Sequence, residues 1–185
     1  MPVYALGDKR PRIHPTAWIH PDAVLIGDVW VDEYASIWPC AVIRADNSPV
    51  RIGARTSIQD GTVIHTQPVN MTRVGADCVI GHLVHLEGCT IEDRVLVGSN
   101  AVVLERAICR SGSLVGAGAM VAAGTEVPPR ALAVGVPARI KPDAVNPEMI
   151  LKTAGYYLEH LAEHRDGMRQ VAIDSCHRED VFAQQ

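Results

Sequence analysis

IEDRVLVGSNAVVLERAICRSGSLVGAGAMVAAGTEV, running from Ile91 to Val127, places a small or branched apolar residue at every sixth position: Ile91, Val97, Val103, Cys109, Val115, Val121 and Val127. Neither an α-helix nor a regular strand has that period. Short strands separated by tight corners do, and self-similarity at a short fixed period marks a solenoid. Cys109 alone departs from the aliphatic rule, and it is itself a small hydrophobe. Upstream the same register holds through Ile13, Ile19, Leu25, Val31, Ile37 and Ile43. It resumes after a short insertion at Ile52, Ile58 and Ile64, and after a longer one at Val74, Ile80 and Leu86. A five-residue step then reaches Ile91. Gly or Asp follows many repeat positions, as at Asp32, Gly53, Gly75, Gly98 and Gly116, where the chain must turn. Each hexad therefore predicts one flat side with its aliphatic residue inward, and three sides close a triangular coil of 18 residues.

Composition agrees with this. The 185 residues include one Phe, three Trp and four Tyr, so Val, Ile, Leu and Ala must fill the core. Such side chains suit stacked strands. A formal net charge of −4, with no Lys/Arg-rich run, argues against nucleic acid as a partner. No apolar stretch approaches a membrane span or a signal peptide, so no membrane partner and a cytoplasmic location are expected. Five scattered cysteines without a Cys-x-x-Cys are expected to be idle thiols in a reducing compartment. Residues 1–140 are assigned to the solenoid, with Val127 to Ile140 as a closing coil. Residues 141–170 are assigned to a helix packed on it, capped by Asn146 with Pro147 at its first position. Its apolar stripe comprises Met149, Ile150, Thr153, Tyr157, Leu158 and Leu161. Residues 171–185 are expected to be a mobile tail.

The register also orients the polar residues. His65 follows Ile64, and Glu87 follows Leu86, so both take the second place of a hexad. Ile64 and Leu86 lie 22 residues apart, and four of these are insertion, which leaves one full coil of 18. His65 and Glu87 should therefore stack on one side at the strand spacing of ~4.8 Å. His82 belongs to the preceding side and cannot point the same way within its own chain. It could meet the other two from a neighbouring subunit. His85 falls in the sixth place of its hexad, at or near a corner. His14 and His20 each precede a proline and suit turns. His160 and His164 suit a solvated helix face.

The segments AVIRADNSPVRIGARTSIQDGTVIH and VGADCVIGHLVHLEGCTI carry an Arg-x-Asp, a Gln-Asp, a His six residues after that Gln, and a Gly-His motif. With these the chain resembles the γ-class carbonic anhydrases within the hexapeptide-repeat proteins. The resemblance implies an all-β solenoid, a left-handed parallel β-helix of hexapeptide repeats with a C-terminal α-helix. Crossover physics alone would favour the right-handed form. It also implies a homotrimer that hydrates CO2 to bicarbonate at zinc sites between subunits. His65 and His82 match two of the three ligand histidines, and Glu87 stands where the family has the third. Three arrangements are open: Glu87 ligates beside the two histidines; the site binds no metal; or His85 is recruited instead. A carboxylate ligand also admits Fe(II), Co(II) or Mn(II) in place of zinc. By the same resemblance Gln59 orients the attacking water, and Arg44 holds the product or pairs with Asp46 or Asp60. Tyr157 reaches the site from the helix. Asn47 stands where some members carry an acidic proton shuttle. The other function classes are a non-catalytic trimer that binds or assembles, and a hexapeptide acyltransferase.

Overall fold

The computed structural model describes residues 2–173, so Cys176 and the expected tail from 174 onward lie outside the described residues. The chain winds into a parallel β-solenoid of about seven turns followed by one helix. Every repeat position from Ile19 to Val127 is buried, while Ile13, at the first coil, is only half-buried. The inward ladder thus forms one continuous core. Losing one of these side chains, as in Ile64→Ala, removes contacts in three directions and costs about 2–5 kcal/mol.

Three faces surround that core. The first carries strands Trp18–Ile19, Ser36–Ile37, Ser57–Ile58, Val79–Ile80, Leu96–Val97, Leu114–Val115 and Leu132–Val134. The second starts with the first halves of Val24–Val31 and Val42–Ile52. It continues through Val63–His65, His85–Glu87, Val102–Val103 and Met120–Val121. The third takes the second halves of those two long strands, then Thr72–Val74, Thr90–Ile91, Ile108–Cys109 and Glu126–Val127. Corners between faces need a residue in the left-handed region. Several are not glycine, among them Tyr34 at φ 54°, Leu83 at 59° and Asn100 at 60°.

The two insertions become structure beside one another. Gly27 pairs with Ala45 but Val29 pairs with Val50, so residues 46–49 bulge out opposite Asp28. The longer insertion turns back tightly, with Gln67 and Asn70 exchanging both backbone hydrogen bonds. Asn47 ties the two together by donating from Nδ2 to the Thr66 carbonyl, at 3.1 Å.

The far end differs from the coil expected there. Leu132–Val134 pairs antiparallel with Arg139–Lys141, so the chain reverses and closes the stack with a hairpin. The helix then runs over Pro147–Gly167, with the Asn146 side chain accepting from the Glu148 N–H at 3.0 Å. It starts against Gly112 and runs back along the first face to Trp18 and Trp38, which pack on Leu161, Tyr157 and Leu158. Met149, assigned to the apolar stripe, is 45% exposed, and Ala154 is buried instead. His164 also departs from the solvated face expected of it: its ring centroid lies 4.7 Å from that of Trp38.

Candidate active site

Strand pairing sets His65 directly opposite Glu87, as the hexad arithmetic requires. His65 Nδ1 lies 3.3 Å from Glu87 Oε1, and its Nε2 lies 3.0 Å from Asp46 Oδ1. The bulge at 46–49 brings Asp46 over this rung, where Arg44 also bonds its carboxylate. Lys9 adds hydrogen bonds to the Asp46 and Asn47 carbonyls. Glu87 is held further by Gln67, whose amide donates to Oε1. Its Oε2 lies 3.3 Å from His85 Nε2.

That contact corrects the place given to His85. It opens the strand His85–Glu87 and projects outward beside Glu87, two residues away on the same face of the pleat. Burial pushes the Asp46 carboxyl up, but hydrogen bonds from His65 and Arg44 outweigh it and leave it below its ordinary value. Burial likewise raises Glu87, and the bonds to His85 and His65 more than reverse it, so Glu87 too is lowered.

His82 lies elsewhere. It sits on the corner after Val79–Ile80, 52% exposed, with Nδ1 2.9 Å from Asp60 Oδ2. A carboxylate on Nδ1 fixes the ring and leaves Nε2 turned away as a donor, the usual outer support of a metal-binding histidine. Gln59 is buried beside this pair, near Tyr157 from the helix. Burial raises the Tyr157 hydroxyl, and the Gln59 side chain offsets part of that, so it stays protonated at neutral pH.

The nine residues singled out from the sequence thus form two groups. Arg44, Asp46, His65, His85 and Glu87 share the second face. Gln59, Asp60, His82 and Tyr157 share the corner under the helix. Among the described residues, no group of three or more His, Cys, Asp or Glu in one chain is placed to hold a metal ion. The donor chemistry of each half still suits one. The first half offers two carboxylates and an imidazole that would exchange one of its contacts, to Glu87 or to Asp46, for the metal, against one arginine, and the second offers a braced imidazole.

Sequence reasoning missed Gln67 and Lys9. Gln67 had a signal, since it lies two residues after His65. Lys9 had none, because its contact spans 37 residues with no repeat relation.

Beyond the halves themselves, the second face is apolar outside as well as inside. Its outward rungs run Val24, Val42, Val63, His85, Val102 and Met120. The helix packs on the first face instead, and Val63 is 39% exposed. Leu83, on the corner beside His82, is 59% exposed.

Comparison with known proteins gives the following. The family model described as bacterial transferase hexapeptide (six repeats) matches residues 10–45 and 71–105. Carnitine operon protein CaiE of Escherichia coli is 41% identical over 139 residues, covering 75% of this chain and 71% of that protein. Gamma carbonic anhydrase 2, mitochondrial, of Arabidopsis thaliana is 28% identical over 183 residues. That match covers 92% of this chain but just under two thirds, 66%, of the relative. Among solved structures, a putative acetyltransferase of Bacillus cereus superposes with a TM-score of 0.83 at 33% identity. It covers 85% of this chain and 92% of that one.

Proposed function

The chain belongs to the hexapeptide-repeat family, and from that premise we propose that it is a γ-carbonic-anhydrase-like metalloprotein acting as a homotrimer. His65 and Glu87 of one subunit and His82 of the next hold the metal, zinc or a harder divalent ion, and the substrate is CO2 or bicarbonate. The observation that carries this reading is the division of the site into two halves on different sides of one prism. Each half carries its own supporting contacts, and the apolar second face provides a surface to bring them together. A cyclic trimer joins one half to the other three times over. Among the described residues, no helix is long and apolar enough to cross a membrane.

The metal, when bound, supplies a Lewis acid that acidifies water toward neutral pH. The chain's own residues do the rest. Asp60 holds the His82 ring. Gln67 and His85 fix the Glu87 carboxylate. Gln59, buried near Tyr157, orients the attacking water, and Arg44 offers its guanidinium to the bicarbonate product while pairing with Asp46. Asn47 cannot carry a proton and serves as a brace between the two insertions.

Subunit complementation tests the assembly. Neither His65→Ala nor His82→Ala should retain metal alone. Co-expressed, they form mixed trimers in which each has one intact interface, so metal content should recover to about a quarter of wild type. Recovery of none would overturn the shared site. Metal-free wild-type protein purified without chelators would replace this reading with a non-catalytic trimer.

A further inference from the structure

The third face differs from the other two. The helix covers the first, and the second is apolar. The outward rungs of the third run Arg12, Trp30, Arg51, Arg73 and Thr90, each directly paired with the next. Trp30 lies between two guanidinium groups, with Arg12 Cζ 4.3 Å and Arg51 Cζ 3.6 Å from the ring centroid. Asp28 accepts from both the Trp30 indole N–H and Arg12, so that end of the ladder is neutralised.

Arg51 and Arg73 are not neutralised. They occupy adjacent rungs, about 4.8 Å apart, where like charges destabilise a sheet. Among the described residues neither is in an ion pair. Elsewhere on its surface the chain avoids this. Arg110, farther along the same face, is bonded to Glu92 at 2.8 Å and Glu126 at 2.9 Å, and Arg55 to Asp77 at 2.7 Å. Arg51 and Arg73 also line a groove of about 460 Å³ whose floor includes Gly53 and Gly75. Those glycines are required by the coil stacking, since a Cβ on Gly53 would lie 2.5 Å from the Gly75 carbonyl carbon. Their effect is a bare shelf beside two guanidiniums.

We propose that Arg51 and Arg73 form a binding site for the phosphate group of a small phosphorylated molecule. Stacking on Trp30 uses the flat face of the Arg51 guanidinium and leaves its in-plane N–H fork free for paired bonds to phosphate oxygens. Arg73, one rung on, supplies the second fork, and a dianion between them removes the repulsion that the bare pair carries. Asp32 and Asp93 border the same groove. Asp93 is committed to the Ala76 N–H at 2.9 Å. Two carboxylates beside two arginines disfavour a polyanion and favour a single phosphate on a body that bears hydroxyl or amino donors. This site lies apart from the two half-sites and does not depend on them.

The probes are inorganic phosphate and pyrophosphate, titrated calorimetrically into the full chain at constant ionic strength set with chloride. Saturable binding of phosphate is expected, with pyrophosphate binding no tighter, and Arg51→Gln or Arg73→Gln should weaken the phosphate affinity about tenfold or more. Trp30→Leu should also weaken it, with both charges kept. Arg110→Gln, on the same face but in an acid-paired rung, should leave it unchanged. Absence of saturable binding would overturn the site. So would an Arg110→Gln loss equal to that of Arg51→Gln, which would make the effect one of overall charge.

Discussion

Glu87 is held from three directions, by His65, Gln67 and His85, so its carboxylate is fixed before any ligand arrives. A carboxylate in place of an imidazole lowers the net charge of the donor set by one, which weakens Lewis acidity. Glu87→His should therefore raise the rate of CO2 hydration per bound metal, measured by stopped flow with metal analysis on the same samples. A variant that fills with metal and gains no rate would show that position 87 is not what limits the chain. Asp46 gives a second handle. Its folded-state pKa is lowered, so its bonds to His65 and Arg44 stabilise the fold fully above the unfolded value of about 4. That stability is lost as pH falls through the lower folded value. Melting temperatures of wild type and Asp46→Asn should differ at neutral pH and converge once the pH lies below the folded-state value of Asp46. A gap that persists in acid would assign the contribution of Asp46 to packing.

At the scale of the element, the outward rungs of a strand decide what its face does. Val102→Glu, on the uncovered apolar face, should produce a folded monomer by sedimentation, because desolvating a carboxylate at a subunit interface is costly. Ile108→Glu, an outward rung of the third face, should leave the oligomer intact. A Val102→Glu trimer would remove the second face from the interface. These faces were legible in the sequence because a six-residue period fixes which side each residue takes, and insertion lengths subtract cleanly. That arithmetic set His65 opposite Glu87. It failed by one step at His85, because the sixth place of a hexad opens the next strand, as Val63 and Val102 do on the neighbouring rungs, and does not close a corner. It missed the closing hairpin because reversal after Val134 leaves the apolar pattern unchanged. It misplaced Met149 because the turn of the helix against the prism is set by Trp18 and Trp38, more than a hundred positions away.

Over the whole molecule, each coil touches only its neighbours, so the stability of the stack is a sum of nearest-neighbour contributions. The helix is the exception. It starts on a late coil at Gly112 and ends on the earliest coils at Trp18 and Trp38. Deleting residues after Asn146 should lower the melting temperature and loosen the trimer, read by calorimetry and sedimentation. An unchanged melting temperature and mass would make the helix dispensable. Its path has a further consequence for how the fold comes apart. A solenoid without such a tie opens from its ends, one coil at a time. A strut fastened near both ends makes loss of the first coil and loss of a late one a single event. Amide exchange in the full chain should accordingly be protected to a similar depth from Trp18 to Val115, and in the truncated chain should grade from a slow middle to fast ends.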